Sequence, residues 1–196
     1  LELMESHSSN ITGYEINISC PNVKKGGMEF GVDCDMTSKL TKELRKITDR
    51  LIIMKLSPNV SDIVSIGKAC QDAGADAVSA INTVVGMSID AKSAKSNIFT
   101  TYGGLSGPAI KPIGLAAVNK LHNNLSIPII GMGGIVSSTD VAEYILAGST
   151  SVQVGTANFR NPGTGEDLID MINNYLQESN WKSLNEMIGK VEILNK

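Results

Sequence analysis

The chain alternates between short apolar runs and longer stretches in which apolar residues recur every three or four positions. The short runs have the length and the β-branched content of buried strands, whereas the longer stretches have the spacing of one helix face. The predicted strands cover residues 14–18, 51–56, 77–81, 127–131 and 151–154. The predicted helices cover residues 35–48, 61–73, 108–123 and 139–147, with two short ones within 165–190. This alternation favours an α/β fold with a parallel sheet and crossover helices.

Capping residues and spacing predict where the helices begin and which faces are buried. Asp35 or Thr37 is expected to cap the first long helix, and Ser61 with Asp62 is expected to open the next, which Gly74 ends. The residues expected to face the core are, helix by helix, Leu40, Leu44 and Ile47; Ile63, Ile66 and Ala69; and Ile113, Ala117 and Leu121.

The first predicted strand leads into the sequence Asn17-Ile18-Ser19-Cys20-Pro21-Asn22. The Cys20 thiol could act as a base or a nucleophile, and the flanking carboxamides both donate and accept hydrogen bonds. Asn17, Cys20 and Asn22 are therefore candidates for binding a planar ligand with C=O and N–H groups on its rim. A buried structural cysteine beside two turn-forming asparagines is the alternative interpretation.

Two glycine motifs follow the last two predicted strands. Gly131-Met132-Gly133-Gly134 follows one strand, and Gly155-Thr156 follows the next. Backbone N–H groups in such motifs can bind a phosphate, and late adjacent strands are the usual phosphate position of a barrel enzyme. Tight turns without a ligand are the alternative, and a phosphate site by itself fits flavin enzymes and sugar-phosphate isomerases equally.

Lys55 and Asn82 stand at the ends of the second and third predicted strands. A lysine directed into a barrel mouth is unfavourable unless it meets an anion, such as a phosphate or the N1–C2=O edge of a reduced flavin. An exposed lysine on an edge strand is the alternative. Asn82 offers a third carboxamide beside Asn17 and Asn22.

Chemical groups at the carboxyl end of every strand are the pattern of a (β/α)8 TIM barrel. The chain has about five such strands, whereas a closed barrel has eight and about 250 residues. We therefore expect residues 1–196 to be the C-terminal part of a single barrel domain whose N-terminal strands are missing from this chain.

Composition and charge exclude several classes of function. A net charge of −3 and a pI of 5.4 give no basic surface for nucleic acid or an anionic membrane. No apolar run approaches the roughly 20 residues that span a bilayer. The three cysteines are too widely spaced for zinc, and they favour reduced thiols and a cytoplasmic location, so no metal site is expected.

Six segments together resemble the catalytic subunit of class 1 dihydroorotate dehydrogenases, with most similarity to the NAD-linked class 1B branch. The resemblance covers nearly the whole chain. The segments are residues 17–22, 55–60, 81–83, 103–112, 131–135 and 154–157.

The resemblance implies an FMN-containing barrel that oxidises dihydroorotate to orotate in pyrimidine synthesis. It makes Cys20 the base that takes the C5 proton while hydride leaves C6 for flavin N5. It places the pyrimidine ring on Asn17, Asn22, Asn82 and Thr83. It places FMN against Lys55 and Gly107, with the phosphate on Gly133, Gly134, Gly155 and Thr156.

The resemblance also implies partners. Class 1B enzymes pair this subunit with a second subunit that carries FAD and an iron–sulfur cluster, and a homodimer is expected as well. Segments 59–64 and 100–104 are similar to the pyrimidine-reducing domain of dihydropyrimidine dehydrogenase, which acts on uracil or thymine. Two further hypotheses are a barrel that binds FMN without turnover and a sugar-phosphate enzyme without flavin.

Overall fold

The computed structural model describes residues 1–7, 10–19 and 31–194. The strands in this part of the chain are β1 (Gly13–Asn17), β2 (Leu51–Lys55), β3 (Ala77–Ala80), β4 (Val84–Gly86), β5 (Ile89–Asp90), β6 (Lys95–Ser96), β7 (Gly103–Leu105), β8 (Ile129–Met132) and β9 (Ser151–Gln153). The α-helices are α1 (Glu2–His7), α2 (Cys34–Ile47), α3 (Ile63–Asp72), α4 (Lys111–His122), α5 (Ser138–Ala147), α6 (Thr164–Glu178) and α7 (Leu184–Met187).

The main sheet is parallel throughout and has five strands in the order β1-β2-β3-β8-β9. Asn17 pairs with Lys55, Lys55 with Ser79, and Ser79 with Ile130, so the ends of these strands are aligned. Because successive parallel strands are joined by helices, the carboxyl ends of all five meet at one edge. The predicted α/β fold and the five predicted strands are confirmed.

The sheet is curled like a barrel wall. Gln153 Nε2 on β9 donates to Glu15 Oε2 on β1 at 2.6 Å, although these strands are the two edges of the sheet. In a flat sheet four strand spacings would separate the edges by roughly 19 Å. The (β/α)-barrel prediction is therefore confirmed for these strands and helices.

The hydrophobic core lies between the convex face of the sheet and the helices. Along β2, Ile52 and Met54 are fully buried, whereas Leu51 is exposed and Lys55 is partly exposed. This alternation is the period-two pattern of a strand with one face packed on helices. Apolar residues of α3, α4 and α5 complete the cluster on the convex side.

Several helix predictions need correction. Asp33, rather than Asp35 or Thr37, caps α2 by accepting a hydrogen bond from Met36 N–H, and Thr37 is buried one turn later. Ile47 was expected to face the core but is 37% exposed, because it is the last residue of α2. The Asp62 cap of α3 is confirmed.

The inward face of α4 is also different from the prediction. Ile113 is 44% exposed, whereas Gly114 and Val118 are buried beside the expected Ala117 and Leu121. The absence of a side chain on Gly114 leaves room for the Tyr144 hydroxyl, which brings this face of the helix close to α5. Close packing around a glycine therefore shifts the buried stripe by one residue.

The long segment between β3 and α4 forms two small antiparallel ribbons, β4 with β7 and β5 with β6. Apolar side chains on and between these strands are exposed, among them Ile89 and Phe99. None of the helices in the described ranges has both the length and the apolar character needed to cross a bilayer.

Candidate functional site

A cavity of about 350 Å³ opens at the carboxyl ends of β2, β3, β8 and β9. Its volume lies in the range of small-molecule and cofactor sites, and its position is where barrel enzymes bind their ligands. Eight of the residues predicted to form the site line it, namely Lys55, Asn82, Thr83, Gly107, Gly133, Gly134, Gly155 and Thr156. The strand-end prediction therefore brought together residues as far apart in the chain as Lys55 and Thr156.

On the amide side, Asn82 and Thr83 line the cavity, and Asn17 and Ser19 are bonded to Asn82 without lining it. Asn82 Nδ2 donates to Ser19 Oγ at 2.7 Å and to Asn17 Oδ1 at 3.3 Å, so the two predicted carboxamides do meet. Asn17 Oδ1 also accepts from Ser19 N–H, and Asn82 Oδ1 accepts from Thr83 N–H at 2.8 Å. Side chains bonded mainly to one another can exchange these bonds for bonds to a ligand.

Asn59 stabilises the amide side through hydrogen bonds to the backbone that follows β3. Its Nδ2 donates to the Thr83 carbonyl at 2.9 Å, and its Oδ1 accepts from Val85 N–H at 2.9 Å. Asn59 therefore fixes the chain that follows β3, on both sides of Val84. The sequence showed a polar residue after β2, but it did not show that this residue holds the next loop.

Lys55 contacts an anion within the chain itself. Its Nζ lies 3.4 Å from Glu15 Oε1, and the other oxygen of Glu15 accepts from Gln153. Sequence reasoning missed Glu15 and Gln153. The available signal was the period-two spacing of Glu15 and Asn17, which places both on one face of β1.

The glycine side of the cavity consists of Gly107, Gly133, Gly134 and Gly155. Gly134 has φ of 76°, and a Cβ there would lie 2.8 Å from the Gly107 carbonyl oxygen. Gly107 itself has φ of 86° and precedes the short 3-10 helix Pro108–Ile110. Only glycine at these two positions allows the loops after β7 and β8 to come into backbone contact.

Tyr144 on α5 holds the loop after β8 from below. Its hydroxyl lies 2.8 Å from the Gly133 carbonyl and 3.1 Å from the Met132 carbonyl, and the side chain is fully buried. Burial, together with the carboxylates of Asp140 and Glu143, raises the pKa of the Tyr144 phenol. The hydroxyl therefore stays protonated and donates to a carbonyl of the glycine loop.

Asp140 and Lys111 hold the outer part of the same loop. Asp140 Oδ2 accepts from the N–H groups of Val136 and Ser137, and Asp140 Oδ1 accepts from Lys111 Nζ at 2.6 Å. Burial by itself raises the pKa of Asp140, but the bonds from Lys111, Val136 and Ser137 outweigh it and keep the pKa below its usual value. The Asp140 hydrogen bond, followed by that to Glu143, raises the pKa of Lys111.

The charges around the cavity favour an anion. Lys55 and Arg160 are the charged residues that line it, and no described carboxylate does so. A Cβ built on Gly155 meets no described atom within 4 Å, so this backbone stands open beside Thr156. Open backbone in a cavity lined by cations and by no described carboxylate is an arrangement that favours a phosphate group.

Two of the predicted site residues, Cys20 and Asn22, lie outside the described residues. Cys70 is a buried residue of α3, where burial raises its pKa to about 12. Cys34 is the exposed first residue of α2. Among the described residues, no group of His, Cys, Asp and Glu side chains could hold a metal ion.

Comparison with known proteins gives a consistent result. A family model described as dihydroorotate dehydrogenase matches residues 2–176. Proteins named dihydroorotate dehydrogenase B (NAD(+)), catalytic subunit, are similar over nearly the whole chain. The one from Desulforamulus reducens is 48% identical over 95% of this chain and 61% of its own length. Those from Malacoplasma penetrans and Porphyromonas gingivalis are 45% and 47% identical, over 94% of this chain and 60% of theirs. The chain thus spans about three fifths of the length of these relatives.

Proposed function

The chain belongs to the dihydroorotate dehydrogenase family, and from this premise we propose that it carries the FMN site and the catalytic base of a class 1B enzyme. The reaction is the oxidation of dihydroorotate to orotate in pyrimidine synthesis. Removal of a proton from C5 and a hydride from C6 leaves the C5=C6 double bond of orotate.

One observation carries this proposal. A single cavity joins an amide side, suited to the rim of a pyrimidine ring, to a glycine side, suited to a phosphate. Lys55 and Gln153 also line this cavity. A sugar-phosphate enzyme also needs the glycine side, but the cluster of carboxamides fits a planar ring with alternating C=O and N–H groups better.

The residues present fit FMN. Gly133, Gly134, Gly155 and Thr156 would hold its phosphate, and Lys55 and Gly107 would lie along its ring system. When bound, FMN supplies the acceptor for the hydride. The cavity contributes positive charge on Lys55 and Arg160 and backbone N–H groups, which all favour an anionic ligand.

Cys20 is the proposed base for the C5 proton. A thiol with an ordinary pKa of about 8.5 needs only a modest shift to act near neutral pH. Asn17 and Asn82 would hold the pyrimidine ring through hydrogen bonds that they now make to Ser19 and to each other, and Asn22 and Thr83 would complete the ring contacts. Hydrogen bonds to these anchors would hold the ring in one orientation, which transfer of the C5 proton to a fixed base requires.

The partners and the location are part of the proposal. We propose that a second subunit carrying FAD and an iron–sulfur cluster passes the electrons to NAD, which the names of the relatives support. The exposed Ile89 and Phe99 on the β-ribbon segment offer apolar surface for such a subunit or for a homodimer. We place the enzyme in the cytoplasm.

The visible spectrum of the purified protein with FMN tests the proposal. We expect anaerobic addition of dihydroorotate to bleach the flavin band, and dihydrouracil on a fresh sample to leave it unchanged. Bleaching by dihydrouracil alone would instead support a uracil- or thymine-reducing enzyme. A protein that binds FMN but is bleached by neither compound would be a flavin-binding barrel without this activity.

Replacement of Cys20 by Ala tests the base. We expect the rate of flavin reduction by dihydroorotate to fall by about 10²–10⁴, the usual contribution of a general base. The matched control is Cys34→Ala, because Cys34 is an exposed thiol outside the cavity lining. An unchanged rate in Cys20→Ala would exclude Cys20 as the base.

A further inference from the structure

Arg160 lies on the rim of the cavity, beside its glycine side. It follows the short 3-10 helix Thr156–Phe159, and its backbone N–H donates to the Ala157 carbonyl at 3.0 Å. It lines the cavity together with Gly155 and Thr156, and it also lines a neighbouring cavity of about 340 Å³ with Asp167. The backbone contact fixes where the side chain starts.

The two cations of the cavity differ in their surroundings. Lys55 is paired with Glu15, so its charge is partly compensated inside the chain. The Arg160 guanidinium forms no hydrogen bond or ion pair with any residue in the ranges 1–7, 10–19 and 31–194. Arg160 is thus the uncompensated positive charge at the end of the cavity where the open backbone of Gly155 lies.

A guanidinium and a phosphate are matched in shape and charge. Arginine presents several N–H groups in one plane, is charged at every working pH, and often binds two phosphate oxygens at once. Backbone N–H groups supply hydrogen bonds but only partial charge, whereas a phosphate monoester carries nearly two negative charges. A free arginine beside such a loop would supply the charge that the glycines lack.

We propose that Arg160 pairs with the ligand phosphate and makes the cavity select a phosphorylated flavin over its unphosphorylated form. This inference rests on the proposed function, since it takes the ligand to be a flavin. It assigns to Arg160 a role in binding specificity and none in the proton and hydride transfers.

The neighbouring carboxylate of Asp167 defines the competing arrangement. Asp167 Oδ2 accepts from Asn161 Nδ2 at 2.7 Å, and Asp167 lines the second cavity with Arg160. If Arg160 paired with Asp167 instead of the ligand, replacement of Arg160 would alter the stability of this loop and would change the affinity for all flavins alike. A comparison of two flavins that differ only in the phosphate separates these possibilities.

The experiment measures the dissociation constants of FMN and riboflavin by quenching of flavin fluorescence. The variants are Arg160→Gln and Arg160→Lys. The matched control is Lys182→Gln, which removes the same charge from an exposed side chain outside the cavity. The unfolding midpoint of each variant is recorded in parallel.

We expect Arg160→Gln to weaken FMN binding about tenfold, as one exposed charge-assisted contact would, while riboflavin binding stays within about twofold. Arg160→Lys should retain part of the difference, because it keeps the charge and loses the planar fork. Lys182→Gln should change neither constant. The preference for FMN should also fall as salt is raised, since an exposed pair is screened.

Two results would overturn the assignment of Arg160 and leave the proposed function in place. One is an unchanged FMN constant in Arg160→Gln, and the other is an equal loss for FMN and riboflavin. If the wild-type protein binds neither flavin, the proposed function fails and this inference fails with it.

Discussion

The glycine side and the amide side of the cavity present hydrogen-bonding groups by opposite means. On the glycine side the backbone itself faces the cavity, and Tyr144 and Asp140 hold it in shape from outside the cavity lining. On the amide side the side chain of Asn82 lines the cavity, and it is bonded to Asn17 and to Ser19.

This difference determines how each side responds to substitution. A backbone site depends on the path of the chain, so a change that leaves the ligand-facing groups intact can still destroy it. A side-chain site depends on individual atoms, so removal of one carboxamide weakens binding while the fold stays in place. We therefore expect stability losses on the glycine side and affinity losses on the amide side.

Gly134→Ala is expected to have the largest effect. The residue has φ of 76°, and the new Cβ would lie 2.8 Å from the Gly107 carbonyl oxygen and 3.0 Å from Pro108 Cα. Both contacts are with backbone, so neither can move aside easily. We expect a loss of about 2–4 kcal/mol in the free energy of unfolding, measured by chemical denaturation, together with loss of FMN binding.

Gly165→Ala is the matched control for this substitution. A Cβ there meets no described atom within 4 Å, and Gly165 lies in the first turn of α6. We expect unchanged or slightly raised stability, because alanine favours the helix. A Gly134→Ala protein as stable as this control would show that the two loops do not need their close contact.

Asn82→Ala is expected to have a smaller effect, and on binding instead of stability. Asn82 is partly exposed and bonds mainly to the side chain of Ser19 and to Thr83 N–H. We expect the dissociation constant for orotate, measured by its perturbation of the FMN spectrum, to rise roughly tenfold to a hundredfold. FMN affinity and the unfolding midpoint should change little.

The exposed Asn173 on α6 supplies the control, since Asn173→Ala removes the same group far from the cavity. If Asn82→Ala unfolded the protein as readily as Gly134→Ala, the amide side would be structural and the contrast between the two sides would disappear. Equal orotate affinity in Asn82→Ala and wild type would remove Asn82 from the ligand contacts.

Much of the site could be predicted from sequence because parallel strands deliver their carboxyl ends to one edge. Lys55, Asn82 and the two glycine motifs each stand at the carboxyl end of a predicted strand, so one topological rule was sufficient to bring them together. This rule uses only the order and direction of the strands. The site residues were therefore placed at the same edge even where a strand end was predicted one or two residues away from its actual position.

The supporting residues could not be predicted in this way. Glu15 and Gln153 are 138 positions apart and meet only because the sheet curls. Tyr144 reaches the Gly133 carbonyl only because α5 is rotated over β8 and Gly114 leaves room for its hydroxyl. Packing also exposes Ile113, which spacing alone had placed in the core. These contacts depend on tertiary distances that no local pattern contains.

The smallest effect is expected for substitution of Asp140, which tests whether stabilisation of the glycine loop depends on the charge of this carboxylate. The folded-state pKa of Asp140 is lowered, so its stabilising contribution is present above the unfolded-state pKa of about 3.9 and is lost as pH falls through the lower folded-state value.

We expect Asp140→Asn to be about 1–2 kcal/mol less stable than wild type near neutral pH, since it retains the hydrogen-bond acceptor for the α5 cap but loses the charge that pairs with Lys111. The difference between the two unfolding curves should begin to shrink below about pH 4, where the unfolded chain takes up the proton, and should disappear below the folded-state pKa, where wild-type Asp140 is protonated in both states. FMN affinity should fall where the charge of Asp140 is lost. Asp62→Asn, at the α3 cap and outside the cavity lining, should leave FMN affinity unchanged. A stability difference that stays constant from neutral pH to pH 3 would mean that the Asp140 charge does not support the loop, and that its hydrogen bonds to Val136 and Ser137 suffice.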